Sequence, residues 1–324
     1  MPLRPIKKIA IIGAGIMGHG FALVFSQKGF PVSLHDVSEE ILEKAMKSID
    51  RTIGTFIRYG LIAKKDKERI LKRITKTTDL RTAVDGADFV LEAIPEVLEM
   101  KQELFRRLEP LAPPHAILAS NTSGLGITQI AKGLARPERA IIAHWINPPH
   151  IIPIVEIVRG DKTSDETAAR VDRLLRKVGK IPIHVWKEVP GFLFNRLQLA
   201  LYREALYCLE TGVATAEDID LVVKGAYGFR SAHLGPLETS DFGGLDTFLR
   251  ISQNLYPKLC DSHEAPAILQ SLVAQGKLGV KTGAGFYSYP PQVLRKKIQE
   301  RDRRLIQQLK LFQNRSPVDR SRKR

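Results

Sequence analysis

The chain has 324 residues, 44% of them hydrophobic and 26% charged, with a net charge of +15. That length can bury a sizeable core and suits two domains, while no apolar run approaches the roughly 18 residues that a membrane span requires. The opening MPLRPIKK lacks the apolar stretch of a signal peptide, which predicts a cytoplasmic protein, and the two cysteines, Cys208 and Cys260, have neither metal-ligand spacing nor the density of a disulfide framework and read as packing residues.

Ile9 to Ile12 form a continuous apolar run, as in a strand buried on both faces of a parallel sheet. The turn after it is Gly13-Ala14-Gly15-Ile16-Met17-Gly18, and a helix follows. Gly13 permits the tight turn, and Gly15 lets a pyrophosphate approach the backbone where unpaired N–H groups and the helix dipole favour negative charge. Gly18 lets the helix lie close to the strand. Asp36 closes a second strand, PVSLHD, eighteen residues after Gly18. A carboxylate there can accept hydrogen bonds from both ribose hydroxyls of an adenosine and would repel a 2′-phosphate. A glycine turn alone is weak support, but strand, turn, helix and acid at this spacing predict a dinucleotide site for NAD rather than NADP.

A long helix is expected from Ser38 to about Tyr59, with a serine cap and acids in its first turn. A second helix, LIAKKDKERILKRI, should follow the break at Gly60. The pair exceeds a plain crossover and reads as a helical-hairpin appendage over 38–78, its basic side chains either solvated or a landing surface for a phosphorylated substrate. Short strands at 89–95, 116–121, 140–145, 153–158 and 181–186 alternate with helices and loops. That alternation predicts an α/β, doubly wound Rossmann-type domain over 1–188. Strand signals stop at Val189-Pro190-Gly191, and 189–294 reads as an all-helical C-terminal domain. Residues 295–324 hold twelve Lys or Arg against three acids, so +9 of the charge lies in a basic tail. A solvated extension is the expectation there, and nucleic-acid binding is not expected because the charge imbalance is mostly terminal.

His144 ends the apolar run AIIAHW, at the carboxyl end of a strand, where open α/β folds bind ligands. Removing hydride from an alcohol needs a base for the hydroxyl proton, and imidazole titrates near working pH. Glu156 lies twelve residues on, flanked by apolar residues that make an unpaired charge costly. Paired with His144 it would fix the tautomer and stabilise the imidazolium; a salt bridge to an arginine is the alternative. Ser123, in SNTSGLG, offers a hydroxyl after a strand end, and Asn195, in VPGFLFNRLQ, offers an amide at the start of the helical domain. On the residues alone both read as cap or turn residues rather than catalytic ones.

Together GAGIMGHGFA, LEAIPE, SNTSGLGIT, AHWINPPHIIPIVEIV, PGFLFNR, GPLETSDFGGLD and KLGVKTGAGFY stand in the order of the L-3-hydroxyacyl-CoA dehydrogenase family, which residues 6 to 290 resemble. The resemblance implies reversible oxidation of an L-3-hydroxyacyl-CoA by NAD, a reaction of fatty acid metabolism. By it His144 is the acid/base, Glu156 orients it, and Ser123 and Asn195 hydrogen-bond the reacting oxygen. It likewise implies that Gly13, Gly15, Ile16, Met17, Gly18, Asp36, Glu96, Lys101, Asn121, Ser123, Asn147 and Lys281 contact or position NAD, and that the helical domain builds a homodimer. The family's CoA-contacting serine and lysine fall at Thr52 and Tyr59, counted from Asp36 without gaps. Thr52 keeps the hydroxyl; Tyr59 loses the cation, for which Arg58 can substitute. Relatives that act on free hydroxy acids such as L-gulonate or carnitine are the alternative, and NPPHIIPIVEIV leans toward them.

Overall fold

A computed structural model of the protein describes residues 3–313. The chain divides into two compact units, one ending at Asn195 and the other beginning at Arg196.

The first unit is built on eight strands: β1 (Ile9–Ile12), β2 (Val32–His35), β3 (Ile74–Thr77), β4 (Phe89–Glu92), β5 (Ile117–Ser120), β6 (Ala140–Trp145), β7 (Ile154–Val158) and β8 (Ile181–Val185). Between them run α1 (Gly18–Gln27), α2 (Glu39–Arg58), α3 (Lys67–Leu71), α4 (Leu80–Val84), α5 (Leu98–Leu111), α6 (Ile127–Ile130) and α7 (Asp165–Lys177). The order β3-β2-β1-β4-β5-β6-β7-β8 is that of a Rossmann sheet, reversing direction between β1 and β4. All neighbours are parallel except β6 and β7. Only residues 146–153 join those two, too short a connection for a crossover helix, so the chain must return antiparallel.

Every residue of β1, β2, β4, β5 and β6 is buried, which is why these strands read as unbroken apolar runs. In one part of the core Val90, Leu118 and Ile142 pack with Phe105 and Leu108 of α5 and with Phe192. Elsewhere Phe21 and Phe25 of α1 meet Trp145 at ring distances of 5.2 and 5.7 Å. Helix α7 shows its local code plainly: Ser164 accepts from Thr167 N as a cap, acids fill the first turn, and Arg176 and Lys177 close the last.

The appendage differs from expectation. Helix α2 has the predicted extent, but Leu42, Ala45, Ile49, Ile53 and Phe56 are buried along one face and the helix packs on α1. The second helix shrinks to a 3-10 turn at Lys64–Asp66 and the five residues of α3, because the sequence from Ile74 onward joins the sheet as β3, beside β2.

The second unit is helical, with α8 (Phe194–Glu210, starting in the last two residues of the first unit), α9 (Ala216–Val222), α10 (Gly228–Ser231), α11 (Pro236–Gly243), α12 (Leu245–Leu255), α13 (Ala267–Ala274) and α14 (Pro291–Gln313). Its extended contacts among the described residues are isolated bridges from Ala284 to Gly279 and Ser288. The compact units divide after Asn195, and Leu193 and Phe194, just past the expected boundary at 188, are hydrogen-bonded to Glu156 of the first unit. The expected solvated tail is a continuous helix to Gln313; the rest of it, 314–324, lies outside the described residues. Its Ile306 is fully buried, an anchor that a solvated extension would lack. Cys208 and Cys260 are free and half-buried. Among the described residues no helix is long and apolar enough to cross a membrane, and no metal-ligand cluster occurs.

Candidate active site

The carboxyl ends of β1 and β4 lie side by side at the point where strand order reverses, the position at which such sheets open a ligand crevice. Gly13 sits there with φ +101°, and a Cβ on it would stand 2.6 Å from the Ala93 carbonyl oxygen. A Cβ on Gly18 would stand 1.8 Å from the Gly13 oxygen. Gly15 is different, because a Cβ there would meet nothing within 4 Å. The space over the turn is open, and no side chain caps the start of α1, so N–H groups of its first turn remain for an anionic ligand. Ile16 is exposed at the rim, and Met17 is half-buried beside it.

Asp36 fastens this turn to the end of β2. Its Oδ2 accepts from Ala14 N at 2.7 Å and its Oδ1 from Val37 N at 2.8 Å. Each oxygen keeps a second lone pair for a ribose hydroxyl. Glu39 and Glu40 follow in the first turn of α2, so the segment just after Asp36 is acidic and offers no cation for a 2′-phosphate. The turn, the helix start and the acid therefore fit NAD.

Next along the sheet a buried network holds the serine loop. Glu92, closing β4, accepts from Lys101 Nζ at 2.5 Å, from Ser120 Oγ at 2.6 Å and from Ile94 N at 2.7 Å. Burial pushes the Glu92 carboxyl upward in pKa, opposed by the Lys101 charge and the hydrogen bonds. Lys101 also pairs with Glu96 at 3.3 Å. Glu96 accepts from the Thr122 hydroxyl, from Ser123 N at 2.8 Å and from Gly124 N at 3.2 Å. Burial would raise Glu96, but the Thr122 and Ser123 donors and the Lys101 charge overcome it and hold the carboxyl below its ordinary range. The loop bearing Ser123 thus hangs from one carboxylate. Lys101 is 1% exposed, which leaves it positioning rather than contact. Asn121 spends its Oδ1 on Trp145 N at 2.9 Å, tying the end of β5 to that of β6.

His144 and Glu156 are direct cross-strand partners of β6 and β7. The antiparallel return, which the sequence did not announce, places them opposite each other. His144 Nδ1 lies 2.7 Å from Glu156 Oε2, with both side chains buried. A carboxylate only accepts, so Nδ1 carries the proton and Nε2 is left as the acceptor. Glu156 does more: its Oε1 accepts from Leu193 N at 3.1 Å and Phe194 N at 2.7 Å. Two successive left-handed residues, Gly191 at φ +76° and Phe192 at φ +52°, turn the chain to aim those groups. Strain at a phenylalanine is paid by packing, for Phe192 is 1% exposed and its ring stands edge-on to the His144 imidazole at 5.5 Å.

Asn195 Nδ2 donates to the Ser123 carbonyl at 2.9 Å, so the structure brings these two candidates together. Asn147 is exposed in the loop after β6. In α2 the Thr52 hydroxyl donates to Ser48 O at 2.9 Å, Arg58 is exposed in the last turn, and Tyr59 is half-buried. Lys281 is exposed in the second unit, between the bridged residues Gly279 and Ala284. Sequence reasoning missed Glu92, Ser120, Thr122 and Phe192. A charged residue closing the apolar strand FVLE was the available sign for Glu92; Phe192 gave none.

Comparison with known proteins gives the same answer over residues 8–289. The family model for the 3-hydroxyacyl-CoA dehydrogenase NAD binding domain matches residues 8–189, and that for the C-terminal domain matches 191–289. A 5-formyl-3-hydroxy-2-methylpyridine 4-carboxylate 5-dehydrogenase of Mesorhizobium japonicum is 36% identical over 313 residues, covering 96% of this chain and 99% of its own. A probable 3-hydroxybutyryl-CoA dehydrogenase of Bacillus subtilis is 41% identical over 285 residues, 88% of this chain and 98% of its own. The crystal structure of a 5-formyl-3-hydroxy-2-methylpyridine 4-carboxylic acid 5-dehydrogenase, described as an NAD+-dependent dismutase, superposes with a TM-score of 0.89 at 34% identity, covering 96% of this chain and all of its own. With a dinucleotide turn, a buried histidine–carboxylate pair and both family domains in place, the chain belongs to the 3-hydroxyacyl-CoA dehydrogenase family and is an NAD-dependent dehydrogenase.

Proposed function

We propose that this dehydrogenase oxidises the 3-hydroxyl of an L-3-hydroxyacyl-CoA to the 3-ketone, reversibly. The observation that carries this reading is the His144–Glu156 pair, a base whose free Nε2 is set by a buried carboxylate on the neighbouring strand. NAD, when bound, supplies the hydride acceptor. His144 Nε2 takes the hydroxyl proton, and the imidazolium so formed faces Glu156. The Ser123 hydroxyl and the Asn195 amide hold the substrate oxygen, on a loop kept in place by Glu96. Gly13, Gly15, Gly18 and Asp36 hold the adenosine and pyrophosphate, Asn147 the other half of the cofactor, and Glu96, Lys101, Asn121 and Lys281 support it. The protein works in the cytoplasm as a homodimer joined through the second unit, where large apolar side chains such as Leu237 and Phe242 stand 80% and 81% exposed.

A second reading is a free carboxylic acid as substrate. The family model ends at residue 289, before α14, whereas a 313-residue match leaves too few positions over to omit that helix. One relative that shares it is named for a pyridine carboxylate, although a 3-hydroxyacyl-CoA dehydrogenase structure spans the chain to a similar extent. Tyr59, in the place of the cation, points the same way. The deciding experiment is initial-rate NADH oxidation with acetoacetyl-CoA beside NAD reduction with free L-3-hydroxybutyrate, carnitine and L-gulonate. Fast turnover of the thioester alone is expected; turnover of a free acid alone would replace the first reading with the second.

A further inference from the structure

The first unit contains a buried cation that the reaction does not use. Lys180 stands just before β8, after Gly179 at φ +82°, and is 8% exposed. Its Nζ donates to Pro149 O at 2.7 Å and Ile152 O at 2.6 Å, and lies 5.3 Å from the centre of the Trp145 ring. No carboxylate among the described residues pairs with it. Burial, and then the like charge of Lys28, bring its pKa down to about 7. Burying the amine carries a desolvation cost, which the two carbonyls that it satisfies offset.

What Lys180 grips explains why it is there. The loop 146–153 leaves β6 immediately after His144 and Trp145 and carries Asn147. Its Pro149 presses on α1, where a Cβ added to Gly20 would stand 2.5 Å from Pro149 Cγ. Its His150 ring lies 5.7 Å from that of Phe56 in α2. The loop is therefore wedged against the helix that begins at the glycine turn, with Lys180 fastening it at two carbonyls.

We infer that Lys180 is a positioning residue for the cofactor: by tying down Pro149 and Ile152 it fixes the loop against α1 and so sets where Asn147 stands. An ammonium or a neutral amine has enough N–H donors for two carbonyls, so the fastening survives loss of the proton. The inference rests on the reading in which Asn147 positions NAD.

The test is fluorescence titration of the full chain with NADH, beside thermal melting, for wild type, Lys180→Met and Lys180→Arg. Lys180→Met should bind NADH about tenfold more weakly whether or not its melting temperature changes, the loss of two bonds from one donor being only partly expressed. Lys180→Arg, which keeps donors on an aliphatic stem, should recover part of that loss. A Lys180→Met protein that melts lower but binds NADH normally overturns the inference, because it makes the residue structural. Failure of the wild type to bind NADH would instead overturn the cofactor reading itself, before any variant is made.

Discussion

Up to Asn195 the apolar side chains of this protein face one another, and beyond it most of them face outward. The first unit has five fully buried strands and a cluster of Phe21, Phe25 and Trp145; in the second, Leu206 and Ile306 are the buried apolar side chains among the described residues, while Phe229, Leu237 and Phe242 are at least three-quarters exposed. The first unit carries its own stability in a sheet. The second has too little interior to do so, and its helices need cover from outside themselves. In our reading that cover is a second copy, and the chemistry resides in the unit that needs none.

The comparison can be broken at several points. His144→Gln should lower turnover by roughly two orders of magnitude or more, with NADH binding and melting temperature unchanged, as steady-state kinetics and titration would show. Phe242→Asp combined with Leu237→Asp should weaken self-association by about a hundredfold, seen as monomers in sedimentation at concentrations where the wild type is dimeric; a monomeric wild type would end the dimer proposal. Glu156→Gln should lower turnover by a factor comparable to that of His144→Gln, roughly two orders of magnitude or more, in the same kinetic assay. An amide directed at Nδ1 with its NH2 forces the proton onto Nε2, the wrong tautomer for a base. Gly13→Ala should destabilise the first unit by about 2 kcal/mol or more in denaturant titrations, from positive φ and the Ala93 contact together.

The smallest effect is one of pH. The Lys180 amine has a pKa of about 7 when folded against 10.5 as the ordinary value, so across that window the unfolded chain binds more protons. Stability of the first unit should therefore rise with pH from about 7 towards 10.5, a slope that the Lys180→Met variant lacks. An equal slope in both proteins would assign the effect elsewhere.

How much of this was legible in the sequence depends on whether local pattern or long-range pairing decided it. The run Ile9–Ile12, the three glycines and Asp36 fall within thirty residues and obey rules of spacing, so the dinucleotide turn could be read directly. His144 and Glu156 were readable as candidates, but their meeting depended on the direction of β7, which a loop length decides. The strand Ile74–Thr77 was hidden because it is an edge strand with one buried residue, following a basic run that mimics a longer helix. In α14 the apolar positions Leu294, Ile298, Leu305 and Ile306 were masked by the density of charge around them. Lys180 left no trace at all, because its partners are backbone carbonyls thirty residues away.

The carboxylate of Glu156 has one oxygen on the base and the other on the first turn of α8, two residues from the amide of Asn195. The two proposed roles, substrate recognition and proton abstraction, therefore meet at one carboxylate. If Asn195 holds the substrate as we propose, the same side chain that orients the imidazole also fixes the backbone from which that amide projects.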